Sequence, residues 1–469
     1  MVRVFKQYIP VSFVILAIVE FMVFATSVYV GVAIRFADSA NNFSIEFPES
    51  LGNIYPKAII FAFVMFLSLG AMGLYQRRYR HGISGMVLRL VSAMAAGAIA
   101  ITLVYYTFPD LFLGRGAMGY TFLSGFIVIL LIRLIFLKTV DQELLKRRIL
   151  VLGAGELACQ INQQLRRRTD QRGFHIVGYV HVRGEHDAVD ESLILRPDQP
   201  LLSMASTMQV DEVVVAVGDR RRKAFPVHEL LDCKLSGIDV IDLQGFFERE
   251  LGKLKLDILN PSWMIFSDGF NQGDINDAYK RGFDILLSLV LLFVTWPFML
   301  VVAAAIWLDD RHAVIYKQVR VGQHWQLFNV YKFRSMRIDA EAQGAPQWAK
   351  KEDNRVTAIG KFIRKVRLDE LPQIVNVLKG EMSFVGPRPE RPEFVTQLSE
   401  QIPYYAERHR VKPGITGWAQ VCYPYGASEK DSLEKLQYDL YYIKNYTFFL
   451  DLVVILQTAH EILWGRGGR

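Results

Sequence analysis

The sequence predicts three parts in series: a membrane α-helical bundle of four spans, a doubly wound α/β domain, and a C-terminal α+β domain entered through a re-entrant membrane helix. Three observations carry this prediction. Apolar runs of bilayer-spanning length crowd residues 1–145. Strand-like and helix-like stretches alternate through residues 146–245. A further apolar run, 283–308, has Lys and Arg on both flanks. Residues 246–278 read as a linker, and the last domain occupies residues 279–469.

Composition supports a membrane protein. Hydrophobic residues make up 51% of the 469 positions, the net charge is +7 and the mean hydropathy is +0.19. Excess Lys and Arg beside apolar runs suits an anionic bilayer surface and phosphate-bearing ligands. No basic block is interleaved with a nucleic-acid reading motif, so nucleic acid is not an expected partner. The three cysteines, Cys159, Cys233 and Cys422, are far apart and form no CxxC, which argues against thiolate metal sites and a disulfide framework. Reduced thiols fit domains that face the cytoplasm. The first apolar run is too long for a cleavable signal, and more such runs follow it.

A bilayer span needs about 20 apolar residues. Val11–Ile34, Ala58–Tyr75, Leu90–Phe108 and Met118–Leu137 meet that length. Arg3 and Lys6 precede the first span, Arg77, Arg78, Arg80 and Arg89 fill the second connection, and Lys138, Lys146, Arg147 and Arg148 follow the fourth. The first connection carries Asp38, Glu46 and Glu49, with Lys57 at its end, and the third carries Asp110 and Arg115. The positive-inside rule then puts the N-terminus, the second connection and everything after Lys138 in the cytoplasm. Glu20 lies mid-span, where a lone charge is costly, so a neutral form or a partner on a neighbouring helix is expected. Arg133 lies close enough to the cytoplasmic end to snorkel out.

From Arg147 the pattern changes. Ile149–Leu152 is a short β-type run that leads into Gly153-Ala-Gly155-Glu-Leu-Ala158 and a helical stretch to Arg168. His175–Val180, Glu212–Val217 and Asp239–Leu243 are further strand candidates, and such alternation argues for a parallel sheet. The glycine turn matches the dinucleotide fingerprint and makes the domain Rossmann-like. The acid expected roughly 20 residues on is missing, because that strand ends at Val180-His181. No cofactor-binding residues are therefore assigned, and the domain reads as structural or regulatory.

The run Ile285–Leu308 is long enough to cross, but Lys280-Arg281 precede it and Arg311, Lys317 and Arg320 follow. Pro297 in its middle removes a helical hydrogen bond, predicting a helix–break–helix that enters the membrane and returns. The carbonyl freed near Phe293 or Thr295 needs a side-chain partner. A kinked fifth span is the other reading, and it would put the two soluble regions on opposite sides. Beyond it, Val314–Gln326 reads as a hairpin-like strand pair turning at Val321-Gly-Gln, with another strand over Leu327–Arg334 and two or three helices after it.

The densest chemistry is Arg364-Lys-Val-Arg367-Leu-Asp369-Glu370-Leu-Pro372-Gln373, followed by Gly386-Pro387-Arg388-Pro389-Glu390. Pro372 suits a first helical turn, which would put Asp369 or Glu370 at a helix N-terminus. A carboxylate there can stay ionised and attack, or it can simply cap the helix; spacing alone does not separate the two. Adjacent helical residues diverge, so one acid can attack while the other holds a cation. Lys332 and Arg334 share one face of a strand and could grip a diphosphate, or form a solvated edge. Pro387-Arg388-Pro389 is a stiff turn presenting one guanidinium. Arg408-His409-Arg410-Val-Lys412 adds cations before a Pro-Gly turn, with His409 read as structural.

Residues from Lys280 onward resemble the bacterial sugar transferase family, the monotopic phosphoglycosyl transferases. The resemblance rests on Lys280-Arg-Gly-Phe-Asp284, Tyr331-Lys-Phe-Arg-Ser-Met336, Leu368-Asp-Glu-Leu-Pro-Gln373, Asn376-Val-Leu-Lys-Gly380, Met382-Ser-Phe-Val-Gly-Pro-Arg-Pro389 and Lys412-Pro-Gly-Ile-Thr-Gly-Trp-Ala-Gln420, in that order. Four spans plus a Rossmann-like domain resemble the large branch that initiates exopolysaccharide, and Val421–Ser428 is similar to the subgroup associated with PEP-CTERM systems. The resemblance implies that Asp369 is the nucleophile. It would attack a UDP-sugar, release UMP and carry a hexose phosphate covalently to undecaprenyl phosphate. Asp369 and Glu370 are the implied Mg²⁺ site, with Lys332, Arg334, Arg364 and Arg410 on phosphate and Pro387, Arg388 and Pro389 at the uridine end. It also implies the bacterial inner membrane, contact with membrane lipids, a homodimer and downstream glycosyltransferases. Two departures stand out: Arg367 where many members have Ser, and Trp296 where many have Ser before the proline. Two other readings are a membrane nucleotide-sugar dehydratase or epimerase and a non-catalytic assembly scaffold. The first needs a Tyr-x-x-x-Lys that Gly153–Gly245 lacks.

Overall fold

The computed structural model describes residues 2–4, 7–9, 11–36, 52–75, 83–140, 146–165, 171, 173–218, 225–270, 273–337, 355–423, 426 and 428–463. Lys6, Asp38, Glu46, Glu49, Arg77, Arg78 and Arg80, used above for orientation, lie outside these residues, as do Pro424, Tyr425 and Ala427 of the subgroup motif. The chain divides into two compact units, with the boundary between Glu250 and Leu251.

In the first unit, each predicted span is a helix: α1 (Val11–Phe36), α2 (Ile54–Ala71), α3 (Ile83–Thr107) and α4 (Arg115–Val140). All four are long and apolar enough to cross a membrane. Their shared core is aromatic: the Phe61 ring meets Phe24 and Phe122 edge-on, with centroids 6.2 and 5.2 Å away.

Glu20 has the partner its position demanded. Arg133 Nε lies 2.7 Å from its Oε1 and Nη2 lies 2.8 Å from Oε2, while the Tyr75 hydroxyl donates to Oε2 at 2.5 Å. Arg133 Nη1 donates to the Leu74 carbonyl at 3.1 Å. Arg133 is thus buried on the carboxylate instead of snorkelling, because a bidentate pair satisfies both charges at once. Glu20→Ala strands that guanidinium and is expected to cost about 3–5 kcal/mol, read as a lower Tm in detergent. The double variant Glu20→Met, Arg133→Leu should recover most of the loss; a single variant melting with wild type would show the pair to be dispensable.

The α/β domain follows: β1 (Arg147–Leu152), α5 (Glu156–Gln164), β2 (Phe174–Val180), β3 (Ile194–Leu195), α6 (Leu201–Thr207), β4 (Glu212–Val215), α7 (Val227–Leu235), β5 (Asp239–Asp242) and α8 (Leu243–Leu251). The all-parallel sheet has the order β3-β2-β1-β4-β5, the doubly wound arrangement. The two-residue β3 was not anticipated, since so short a strand has no period to detect. At the glycine turn, Gly153 has φ +111°, and a Cβ there would sit 2.8 Å from the Ala216 carbonyl oxygen. The loop after β2 folds over this turn. Ala188 N–H donates to the Ala154 carbonyl at 2.8 Å, and Glu185 Oε1 accepts from Gly218 N–H at 3.1 Å. His181, where the ribose-binding acid was expected, pairs instead with Asp187 at 2.8 Å.

The stretch read as a linker, 246–278, is more structured than that. It holds most of α8, a 3₁₀ turn at Leu256–Ile258, α9 (Pro261–Phe266) and the start of α10 (Asp274–Asp310). Leu254 is fully buried in the C-terminal core, which explains why its surroundings pack instead of connecting.

In the second unit, α10 runs through Pro297 as one helix of 37 residues, so the predicted break is not a gap in the helix. Proline's fixed φ is itself helical, and only one hydrogen bond is forfeited. The side-chain bond nearby is from Thr295 Oγ1 to the Leu291 carbonyl at 2.7 Å, not to Phe293. Both ends of α10 seat on the same domain. Lys280 Nζ donates to the Val385 carbonyl at 3.0 Å, and further along Val302 and Ile306 pack on Phe333 and Ile363.

β6 (Ile315–Val321) and β7 (Leu327–Phe333) form one antiparallel hairpin. Val314–Gln326 is therefore a single strand and its turn, not a strand pair, because Gly322–Gln326 close the reversal. Then come α11 (Ala358–Lys365), α12 (Ile374–Lys379), β8 (Ser383–Val385), α13 (Pro392–Gln401), β9 (Gly414–Thr416), α14 (Trp418–Cys422), α15 (Glu429–Lys444) and α16 (Phe448–Leu463). β8 and β9 pair in parallel, and their core includes Val377, Met382, Leu440, Tyr442 and Val454.

Candidate active site around Asp369 and Glu370

Three segments converge here. β7 delivers Lys332. The stretch from α11 to α12 delivers Arg364, Arg367, Asp369 and Glu370. The turn after β8 delivers Arg388. Asn376, fully buried, ties the first two together. Its Nδ2 donates to the Asn329 carbonyl at 2.7 Å, and its Oδ1 accepts from Tyr331 N–H at 3.1 Å.

The two acids sit in a 3₁₀ turn, Leu368–Gln373, ahead of α12. Both acids thus lie in a first helical turn, as expected, but the turn is 3₁₀ and not α. Pro372 disfavours α geometry at Leu371, so the α-helix starts only after it. Arg367 opens the turn in the left-handed region, with φ +62°. Leu368 and Leu371, on either side of the acids, pack against the cluster formed by Val302 and Ile306 of α10. The acids thus lie directly beside the membrane-type helix.

Glu370 is 8% exposed and fully engaged. Its Oε1 takes Arg388 Nη2 at 2.9 Å and Lys332 Nζ at 3.2 Å, and its Oε2 takes Arg367 Nη1 at 3.4 Å. Burial works against its charge, yet Lys332, Arg388 and Arg367 hold the carboxyl far below the usual carboxylate range. Asp369, 9% exposed, accepts no hydrogen bond among the described residues. Burial and the neighbouring Glu370 charge push its pKa up, against the pull of Lys332, Arg364 and Arg388. Burial likewise pushes the Lys332 ammonium down. One acid is thus locked into a cationic cluster, and the other keeps its oxygens available beside it.

The Pro387-Arg388-Pro389 turn is held by its own backbone. The carbonyls of Pro387, Arg388, Pro389 and Glu390 accept, in order, from Gly414 N–H (3.0 Å), Arg408 Nη2 (3.0 Å), Arg320 Nη1 (3.0 Å) and Val321 N–H (3.1 Å). Gly386 lets the chains pass at backbone contact: a Cβ there would lie 2.3 Å from the Lys412 carbonyl oxygen.

Arg408 was not singled out from the sequence. Buried, it also donates to Tyr405 Oη at 2.6 Å and to Asp439 Oδ2 at 3.0 Å. No local pattern distinguishes it from Arg410, which was. The exposed Arg410 guanidinium pairs with Glu407, and Arg334, half-buried past the end of β7, is not bonded to Glu370 either. His409 is buried against the Trp325 ring, with centroids 4.8 Å apart, as befits a structural residue.

Burial pushes the Asp439 carboxyl up to about 6 despite Arg408. Arg408→Met raises it further above its unfolded value. Folded Asp439 then binds the extra proton, and stability falls as pH rises between the two pKa values. The expected loss is about 3 kcal/mol at pH 8, smaller at pH 5, measured by melting at both. A loss independent of pH would refute this role for the pair.

The two acids do not build a resident metal cage. No group of three or more potential ligands occurs among the described residues, and Glu370 is already bonded to three cations. Asp369, whose side chain accepts no hydrogen bond among the described residues, would be the carboxylate open to a Mg²⁺.

Comparison with known proteins agrees with the motifs. Residues 275–465 match the family model described as bacterial sugar transferase, and residues 70–223 match one described as CoA-binding domain. A UDP-N-acetylgalactosamine-undecaprenyl-phosphate N-acetylgalactosaminephosphotransferase of Aeromonas hydrophila is 39% identical over 61% of this chain and 65% of its own length. An undecaprenyl-phosphate glucose phosphotransferase of Komagataeibacter xylinus is 33% identical over 69% of this chain and 60% of its own. The chain thus spans under two thirds of those two relatives. It spans more of a UDP-glucose:undecaprenyl-phosphate glucose-1-phosphate transferase of Klebsiella pneumoniae, 32% identical over 87% of this chain and 88% of that protein. With the acid pair, the cationic cluster and the apolar helix all contained in the matched region, the chain belongs to the bacterial sugar transferase family.

Proposed function

We propose that this protein transfers a hexose-1-phosphate from a UDP-sugar to undecaprenyl phosphate, releasing UMP, as the first membrane step of exopolysaccharide synthesis. The observation that carries the reading is the contrast within the acid pair: Glu370 holds three cations, while the Asp369 side chain accepts no hydrogen bond among the described residues and faces the same cluster. The relatives' names supply the substrate class, and the sugars they name are glucose and the hexose derivative N-acetylgalactosamine.

In the first step an Asp369 carboxylate oxygen attacks the β-phosphorus of the UDP-sugar. The bond from that phosphorus to the bridging oxygen breaks, and the electron pair leaves on UMP. In the second, an oxygen of undecaprenyl phosphate attacks the same phosphorus, and the Asp369 carboxylate departs. The product is a sugar joined to the lipid through a diphosphate. Lys332, Arg364 and Arg388 face the charge that spreads over the phosphoryl oxygens. Glu370 keeps Lys332 and Arg388 in place. A bound Mg²⁺ would add further charge neutralisation at the diphosphate. Dividing the transfer means that the two large substrates need not meet.

In this proposal α10 enters the membrane from the cytoplasmic side and does not cross it. A crossing helix would carry its ends to opposite faces, whereas Lys280 and Ile306 both seat on one domain. Between them Leu286, Phe293, Phe298 and Val301 are exposed, which suits insertion into one leaflet from the cytoplasmic side. The assay is detergent-solubilised protein with undecaprenyl phosphate, Mg²⁺ and a panel of UDP-sugars. UMP appearing with one UDP-hexose supports the proposal; no UMP from any of them refutes it.

A further inference from the structure

The glycine turn of the α/β domain is a second place built on the pattern of a phosphate site. In the sheet order β3-β2-β1-β4-β5 the strand order reverses between β1 and β4, and ligands of such sheets bind past the strand ends at that point. Gly153 and Gly155 lie there after β1, and Gly218 lies there after β4. The CoA-binding family model covers all three glycines. CoA, like a dinucleotide, would bring a diphosphate to the turn and to the helix that follows it.

The residues present do not fit that group, because the loop after β2 already carries an anion into the crevice. Glu185 Oε1 accepts from Gly218 N–H at 3.1 Å, which ties the carboxylate to the end of β4. Its Oε2 is buried and accepts no hydrogen bond among the described residues. That oxygen faces the turn. It lies 3.3 Å from where a Cβ on Gly153 would stand and 3.5 Å from one on Gly155. Gly155 is the N-cap of α5, and a negative charge beside a helix N-terminus is favoured by the N–H groups and the dipole there. A bound diphosphate would draw on the same groups.

The loop is also fastened over the turn. Ala188 N–H donates to the Ala154 carbonyl at 2.8 Å, Glu185 N–H donates to the Val182 carbonyl at 3.1 Å, and His181 pairs with Asp187 at 2.8 Å. Loop backbone approaches as well: the His186 carbonyl oxygen lies 3.4 Å from a Cβ on Gly155. A diphosphate would have to displace this backbone and the carboxylate together. It cannot share the turn with Glu185, because like charges that close repel.

We propose that Glu185 stands in for a ligand phosphate: it occupies the glycine turn and closes this domain to CoA and dinucleotides. The inference concerns the α/β domain alone and is independent of the chemistry at Asp369. Its test is peptide-resolved hydrogen exchange on the full-length protein in detergent, which reads the turn separately from the cations around Glu370. In wild type, CoA, NAD⁺ and inorganic pyrophosphate, each at about 1 mM, should leave exchange over residues 153–158 and 181–190 unchanged. Glu185→Ala removes the carboxylate, and exchange at Gly218 should rise roughly tenfold. Pyrophosphate should then slow exchange over residues 153–158 in this variant and not in wild type. Protection of these residues in wild type by any of the three compounds overturns the proposal, whether or not the variant folds. Folded Glu185→Ala that pyrophosphate leaves unprotected overturns it too.

Discussion

Asp369→Asn is expected to abolish UMP release from the UDP-sugar, by roughly 10³–10⁶-fold, and to remove any phosphosugar adduct detectable on the protein by mass spectrometry. The amide keeps the side chain's size but cannot supply the attacking oxygen. The Asp369 side chain makes no hydrogen bond among the described residues, so Tm should change little. This separates lost chemistry from lost structure. Gly155→Ala is the contrast: Gly155 has φ −80°, and its added Cβ would meet its nearest neighbour at 3.4 Å, so most activity should survive. Equal rates for wild type and Asp369→Asn would end the nucleophile assignment.

The second large effect is expected at Arg388. Its side chain reaches Glu370 at 2.9 Å, and four successive carbonyls of its turn are pinned, so the guanidinium is aimed before substrate arrives. Removing one such preorganised group should cost about 10²–10³-fold in kcat with Arg388→Ala. Arg388→Lys should recover only part, since an ammonium cannot reproduce the planar fork. Full activity in Arg388→Ala would mean that the stiff turn serves only the fold.

Much of the architecture was legible because it rests on local periodicity. Four apolar runs became α1 to α4, and the alternation after Arg147 became a parallel sheet with strands close to their expected bounds. The misreadings came where local pattern competes with packing. Val314–Gln326 looked like a complete hairpin, but its partner strand lies beyond it, at Leu327–Phe333. Residues 246–278 lacked a clear period and read as a linker, yet Leu254 is buried in the C-terminal core. Arg410 and Arg408 are alike in sequence; only packing against Tyr405 and Asp439 turns one of them inward.

By itself the sequence determined which segments are apolar enough for a bilayer, which alternate as strand and helix, and which short motifs bring acids and cations close along the chain. Those properties depend on neighbours within one or two turns. Tertiary structure alone decided that Lys332, Arg367 and Arg388 close on Glu370 and leave the Asp369 side chain, among the described residues, without a hydrogen bond beside them. The reason is that charge pairing and desolvation act through space. Which of two adjacent carboxylates is neutralised depends on groups far away in sequence, and their approach is set by the packing of β7, α12 and the turn after β8.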